Sequence, residues 1–575
     1  MEGPNALLLA VIGVGIMLAG YFLYSKYLAK RVFKLNDAYK TPAHQFNDGT
    51  DYVPTNRFVL WGHHFTSVAG AAPIVGPAIA VIWGWLPAFL WVVFGTVFFA
   101  GMHDLGSLWA SARNKGQSLG TLSGRYIGPR GRNLFLVVIF FLLMMVIAAF
   151  ATVTAGLLVD SPTAVIPTWG ALIVAVFVGQ AMYRWNWNLP LVTVVGVVAL
   201  FILIPLGDRF PLSFPKELLG LPPETWWILI LFAYGAIASL LPVWVLMQPR
   251  DYINGLQLFI VLALLYLSVA IATPTVVAPA INNNVPADTP SLMPLLFVTI
   301  ACGAISGFHG TVSSGTTSKQ IDREGDARFV GYFGAVGEGL LALGTILVTT
   351  AAFRTVAEWE EIYSSFSNGG VEVFVEAGGT LVNQGIGLSP SLSSTVLATM
   401  AVLFAATTMD TAVRLQRYIV QEIGQTFNVK IDMYTATAIA VGICIALTFS
   451  AGADGSGGVI IWPLFGTTNQ LLAALTLSIV AVMLMRRRRP FLPVLIPAVF
   501  VIFVSIYALI VQLGQFYNDG NWLLLVLDII VLIAAVWVLI EAAMAMVRTR
   551  NQEPDPEDEE ALSEEELLPA GTPRK

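Results

Sequence analysis

The segment HHFTSVAGAAPIVGP, His63 to Pro77, decides the reading of this chain. It lies inside an apolar run of membrane-spanning length. Two histidines enter it, and Gly70, Pro73, Gly76 and Pro77 crowd its middle. Glycine and proline are the poorest helix formers. At bilayer depth, non-helical backbone is tolerated only where it is buried in protein or lines a cavity, because lipid offers no hydrogen-bond partners. Freed N–H and C=O groups there can serve as ligands for a solute. Gly70, Ala71, Ala72, Pro73 and Gly76 are therefore candidate substrate-binding positions.

Composition fixes the class. Of 575 residues, 56% are hydrophobic and 11% charged, and the mean hydropathy is +0.75. Soluble domains carry about a quarter charged residues. Apolar runs of about 20 residues, long enough to cross the hydrocarbon, recur from end to end. The expected fold is an all-α polytopic membrane protein with the lipid bilayer as its partner and no nucleic acid. The formal net charge of −6 says little about other partners, because much of the acid lies in EPDPEDEEALSEEE, Glu553 to Glu566. That segment cannot bury a core and is expected to be disordered. Cys302 and Cys444 both fall in apolar spans and imply neither a disulfide framework nor a zinc finger. The first 20 residues lack the basic start and cleavage site of a signal peptide and are expected to form a retained helix.

Apolar runs between charged and Pro/Gly-rich breaks give about fifteen spans: near 5–27, 58–82, 84–110, 133–159, 164–183, 189–206, 226–248, 252–273, 292–316, 329–352, 395–421, 434–450, 458–484, 491–514 and 521–547. With the N-terminus outside, the inside segments hold most of the basic residues, among them Lys26 to Lys40, Arg113 to Arg132, Lys319 to Arg328 and Arg486 to Arg489. Of 30 Lys and Arg, only Arg209, Lys216 and Arg354 fall outside. The positive-inside rule then places the C-terminus in the cytoplasm. The outside loop 353–394 is long enough to fold into a small cap.

A second interruption, ASLLPVWVLMQPRDY, falls in the seventh span, with Pro242 and Pro249 as breakers. It lies five spans after the first, so the two cross in opposite directions. That spacing predicts an inverted repeat of five helices, with substrate between two discontinuous helices. The expected units are 1–57, a first helix and basic loop; 58–423, a ten-helix transport core; 424–547, additional helices; and 548–575, the acidic tail. Ser239, Pro242 and Trp244 join the candidate substrate positions. Half-helix N-termini offer N–H groups to an anion, and half-helix C-termini offer carbonyls to a cation.

The ninth span contains ACGAISGFHGTVSSGTTSKQ, unusually rich in hydroxyls. Ser313, Ser314 and Thr317 could offer oxygens to a cation or a substrate carboxylate, or simply bond back to their own helix carbonyls. Four of the five histidines lie in spans: His63 and His64, His103 beside Asp104, and His309. All four are expected in the cytoplasmic half of the membrane. Three readings compete for them: hydrogen-bonded packing, a proton relay and a bound metal. No spacing among them is diagnostic of a metal. Glu338 and Asp410 are the other candidate proton-coupling carboxylates, and Asp410 stands one helical turn from Arg414, so the two could pair.

Five stretches together resemble one known family: LWGHHFTSVAGAAPIVGPAIA, AGMHDLGSLWASARNKGQSLG, GAISGFHGTVSSGTTSKQI, TTMDTAVRLQRYIVQEIG and WPLFGTTNQLLAALTL. They are similar to the carbon starvation protein A family, over about Arg31 to Leu484. The family motif often has Pro where this chain has Ser318. The resemblance implies an inner-membrane transporter related to the amino acid–polyamine–organocation superfamily, with a LeuT-like core. It implies uptake of small peptides or, in one branch, pyruvate, by proton symport. It leaves peptide and pyruvate undecided, and a Na⁺-coupled carboxylate or amino-acid symporter is the alternative. An intramembrane metal-binding protein or enzyme would explain the histidines but not the paired breaks, so no enzyme activity is expected. Oligomeric state is left open.

Overall fold

The computed structural model describes residues 3–552; the acidic run from Glu553 lies outside them. The described chain is helical, with isolated β-bridges and no strands. Among the described residues twelve helices are long and apolar enough to cross a membrane, and one bent pair makes up to thirteen. In chain order the elements that matter are α1 (Ala6–Val32), the bent pair α2 (Arg57–Ala69) and α3 (Ala72–Trp83), and α4 (Trp85–Ala112). A short helix, α5 (Leu119–Tyr126), precedes α6 (Pro129–Asp160), α7 (Pro162–Tyr183) and α8 (Leu189–Arg209). Then come α9 (Pro223–Leu240) and α10 (Met247–Ala272). A thrice-divided segment follows: α11 (Leu292–Thr299), α12 (Ala301–Ala304) and α13 (Gly307–Gly315). After α14 (Arg328–Ala351), the outer loop folds as α15 (Val356–Ile362) and α16 (Val371–Ile386). The chain continues through α17 (Pro390–Thr426), α18 (Met433–Thr448), α19 (Trp462–Arg486), α20 (Leu492–Asn518) and α21 (Trp522–Thr549).

The expectation of about fifteen spans is not met by continuous apolar helices. The expected ninth span is the divided segment α11–α13, and the expected twelfth is α18, a 16-residue helix.

The first break falls where the sequence placed it. Gly70 has φ +54°, which a side chain resists, and α2 and α3 meet there at 44°. A Cβ on Gly70 would also lie 2.7 Å from Thr408 Oγ1 and 2.9 Å from the ring of Phe150. The hydroxyls of Thr407 and Thr408 on α17 donate to the carbonyls of Thr66 and Ser67 at 3.3 and 3.1 Å. Carbonyls released at the end of α2 are thus satisfied from a neighbouring helix, as buried backbone requires.

The second break does not fall where the sequence placed it. α9 runs unbroken to Leu240, and 241–246 is a connection between two separate helices. Pro242 sits in that turn, where its carbonyl accepts from Val245 N at 3.1 Å. Pro249 sits in the first turn of α10, where no backbone donor is needed. These prolines mark a helix end and a helix start. The discontinuous partner of α2–α3 is the divided segment. Ile305 and Ser306 are fully extended, with φ −166° and −131°. A Cβ on Gly76 would fall 2.3 Å from the carbonyl oxygen of Thr299, so glycine lets the two broken segments touch backbone to backbone. α6 and α17, the two longest helices, pack together beside this crossing.

Helix ends group on two faces. At one, Asn5 pairs with Thr275, and the Tyr363 hydroxyl of the cap donates to Ala78 O at 2.7 Å. At the other, Thr55 N donates to Gln320 O at 3.0 Å and Arg113 grips Glu324.

Candidate functional site

Two buried ionic networks meet at the consecutive residues His63 and His64. Each of these histidines is 0% exposed. Successive residues on a helix are about 100° apart, so the pair reaches two different neighbours.

His64 joins the first network. Asp104, on α4, is its centre. His103 Nδ1 lies 2.9 Å from Asp104 Oδ1, and His309 Nδ1, on α13, lies 2.8 Å from Oδ2. An ionised carboxylate only accepts, so each facing ring nitrogen carries hydrogen. His64 Nε2 stands 4.0 Å from Asp104 Oδ2, while its Nδ1 is 2.9 Å from the hydroxyl of Thr317. On the far side of His309, Nε2 lies 3.0 Å from Glu338 Oε2 on α14, an ion-pair distance off the line of a hydrogen bond. Glu338 Oε1 and the Nε2 atoms of His64 and His103 are buried without a hydrogen-bond partner. Among the described residues no His, Cys, Asp and Glu group is arranged to hold a metal ion.

His63 joins the second network. Its Nδ1 is 2.7 Å from Asp251 Oδ2, at the start of α10. Ser67 Oγ reaches the same oxygen at 3.4 Å and Thr411 at 3.2 Å. Arg250 Nε donates to Asp251 Oδ1 at 2.8 Å, and Arg250 Nη2 donates to Asp410 Oδ1 at 3.1 Å. The Tyr234 hydroxyl, on α9, donates to Asp410 Oδ2 at 2.5 Å. Asp410 therefore pairs with Arg250 and not with Arg414, the partner expected from helical spacing. Arg414 turns the other way, to the carbonyls of Ala238 and Leu241 and to Asp51 at 3.4 Å. A buried arginine shared by two carboxylates keeps neither acid uncompensated.

The ninth-span hydroxyls divide. Thr311, Thr316 and Ser318 bond back to carbonyls of their own segment at 2.7, 3.1 and 3.2 Å. Ser314 Oγ accepts from Leu119 N at 3.3 Å. Thr317 reaches His64, and only Ser313 Oγ is buried without a partner. Gly70, Ala71, Ala72, Pro73 and Gly76 all lie buried at the crossing of the broken segments. Ser239, Pro242 and Trp244 are not brought to it. Trp244 packs at a tilt against Tyr183 with centroids 5.8 Å apart, and Ser239 lies beside the carbonyls that Arg414 holds.

Sequence reasoning missed three contributors. Arg250 and Asp251 fall in the short gap between the expected spans 226–248 and 252–273 and were given no role. Asn469 lies in TTNQ, a polar patch inside an apolar span, which was its signal. It accepts from Phe308 N at 2.8 Å and donates to Ser306 Oγ at 3.0 Å, capping α13 from α19.

The model of the family "Carbon starvation protein CstA" matches residues 5–360 and 348–508. The peptide transporter CstA of Campylobacter jejuni is 31% identical over 90% of this chain and 82% of its own length. That of Helicobacter pylori strain J99 is 32% identical over 90% and 84%. The pyruvate/proton symporter BtsT of Escherichia coli is 30% identical over 88% and 82%. Among solved structures, a manganese transporter of Eremococcus coleocola aligns with TM-score 0.47 at 11% identity, covering 88% of this chain and 99% of that one. MhsT bound to L-phenylalanine aligns with TM-score 0.46 at 12% identity, over 85% and 99%. With its matched family model spanning most of its length and relatives above 30% identity along four-fifths of theirs, the chain belongs to the carbon starvation protein CstA family.

Proposed function

We infer that the protein is a secondary transporter, not an enzyme, that takes up small peptides or pyruvate by proton symport. Relatives named peptide transporter and pyruvate/proton symporter support the substrate classes and the coupling ion. The observation that carries the reading is the contact of two discontinuous helices directly beside a buried His–Asp–His–Glu chain. Discontinuous helices make substrate sites, and buried titratable chains make proton paths.

The core reads best as five helices plus five. The first set is α2–α3, α4, α6, α9 and α10; the second is α11–α13, α14, α17, α18 and α19. Each set opens with a broken segment, and each carries a short helical excursion between its second and third members, α5 in one and α15–α16 in the other. α7 and α8, which pack on each other at the periphery, are an insertion into the first set. This LeuT-like core extends to Arg486, beyond the boundary at 423. Counting α11–α13 and α18 as spans gives fifteen, with the N-terminus outside and the C-terminus cytoplasmic by the distribution of Lys and Arg.

The substrate would lie between the breaks at Gly70–Ala72 and Ile305–Ser306. Their two half-helix N-termini differ. α13 is capped by Asn469, whereas α3 starts without a side-chain cap. An anionic end of the substrate is therefore directed to α3. A Na⁺-coupled reading draws on the Thr407 and Thr408 hydroxyls that crowd the α2 carbonyls. Uptake of dialanine and of pyruvate into proteoliposomes decides, under imposed H⁺ or Na⁺ gradients. Accumulation driven by H⁺ alone supports the reading; accumulation that requires Na⁺ and ignores H⁺ contradicts it.

A further inference from the structure

A cavity of about 290 Å³ opens beside the Arg113–Glu324 face, between α6, α13, α17 and the loop before α5. It is near the lower end of the range in which small ligands are held, roughly 300 Å³ and above. Its walls include Tyr52, Ser118, Thr311, Lys319, Tyr418 and Glu422. Two of these carry opposite charge and neither is satisfied by the other. Lys319 Nζ lies over the rings of Tyr418 and Tyr52, 4.6 and 5.5 Å from their centroids. Among the described residues it makes no ion pair, although three acceptor sites for its N–H groups remain to be filled. On the opposing side, Glu422 Oε2 is buried without a hydrogen-bond partner. The polar groups facing that carboxyl are Ser118, Arg132 and Lys319. A buried carboxylate oxygen left without a donor is costly, and an ammonium group entering the cavity would satisfy it.

We propose that this cavity binds the two charged ends of a small zwitterionic peptide, with Glu422 accepting its ammonium group and Lys319 holding its carboxylate. The inference rests on the transport reading above and commits it to a substrate class. Pyruvate has a carboxylate but no ammonium group, so it can satisfy only the Lys319 side. Leu143 and Leu415 supply an apolar wall for a side chain between the two ends. Thr311 and Ser314 line the same space, so the cavity is walled by α13, the helix that follows the Ile305–Ser306 break. It is distinct from the break at Gly70, none of whose residues lines it.

The test is calorimetric titration of the full-length protein in lipid nanodiscs with dialanine, N-acetyl-dialanine, dialanine amide and pyruvate. In the wild type, capping either end should weaken binding by about tenfold or more, since each cap removes one charge-assisted contact. In Glu422→Gln the acetyl penalty should vanish and the amide penalty persist; Lys319→Gln should do the reverse. Pyruvate binding should be indifferent to Glu422→Gln. The wild-type series needs no variant to fold. Capped peptides that bind as well as dialanine overturn the proposal, as do both penalties surviving both substitutions. If proteoliposomes take up neither dialanine nor pyruvate, the transport reading itself fails. Uptake with the same end preference in both variants contradicts the cavity assignment alone.

Discussion

Glu338 Oε2 lies 3.0 Å from His309 Nε2, the nitrogen on the side of the ring away from Asp104. His309 thus stands between two carboxylates, one at each nitrogen. An imidazolium can donate toward both; a neutral imidazole has one N–H and can serve only one. Loss of a proton from this ring must therefore leave one carboxylate without an N–H facing it, or protonate it. That exchange links α4, α13 and α14, which carry Asp104, His309 and Glu338. His103, held on the other oxygen of Asp104, is the position from which a proton would be delivered.

His103→Gln should keep substrate binding and counterflow exchange but lose accumulation against a gradient, and its uptake should lose pH dependence. Glutamine replaces one Asp104 contact without a titrating group. Proteoliposome counterflow and pH-jump uptake measure the two properties separately, and an unchanged pH profile with full accumulation would remove His103 from the path.

Gly70→Ala should abolish transport and destabilise the protein by about 1–3 kcal/mol, through the left-handed φ. The added methyl must also displace Thr408 or Phe150. Uptake checks the loss of transport and thermal unfolding in detergent the loss of stability. Gly15, whose Cβ position has no neighbour within 4 Å, is the control and should tolerate alanine.

Arg250→Met should cost about 3–5 kcal/mol, because it leaves Asp410 and Asp251 buried without their cation. The double variant Arg250→Met with Asp410→Asn should recover much of that, since Asp251 keeps His63. Melting temperatures of the two variants test this. A double variant no more stable than the single one would mean that Arg250 acts through packing.

Much of this arrangement was legible because ionisable residues stand out in apolar runs. His63, His64, His103, Asp104, His309 and Glu338 are conspicuous for that reason, and the structure gathers all but His63 around Asp104 or His309. Gly70 was legible because only a special backbone needs glycine there. The partner break was not legible. Pro242 and Pro249 carry the same letters whether they interrupt a helix or flank a turn, and their role depends on where α9 ends. The Ile305–Ser306 break carries no proline at all; it is held open by Asn469 from α19, a contact far away in sequence. Asp410 and Arg414 stood at a favourable helical spacing, yet Arg250 offers a buried, two-sided pair that spacing within one helix cannot reveal.

Thr317→Val should weaken proton-coupled uptake, since it removes the hydroxyl that faces His64 Nδ1, whereas Thr316→Val should not, because that hydroxyl bonds back to Val312 O. Ser314→Ala should have an intermediate effect, losing the contact with Leu119 N. Initial uptake rates across a pH gradient check all three. Equal rates in Thr317→Val and Thr316→Val would assign both hydroxyls to back-bonding alone.

Asp326, in the loop before α14, is pushed up from the ordinary 3.8 to about 6 by burial, with Asp322 and Asp37 adding to the shift and Arg57 and Arg323 opposing it. The folded chain thus holds this proton more tightly than the unfolded one. Its contribution is present below about pH 4 and is lost as pH rises through about 6. Asp326→Asn should therefore raise stability at pH 7.5, by up to about 2 kcal/mol, and change little at pH 4. Melting temperature against pH for the two proteins gives the answer.

The most direct test of proton symport through this network is proton movement itself. Proteoliposomes loaded with a pH-sensitive dye are given dialanine or pyruvate with no imposed gradient. The wild type should acidify the interior in step with substrate entry, and Glu338→Gln should admit substrate with no acidification. Substrate-dependent acidification of equal size in Glu338→Gln and wild type would contradict the account.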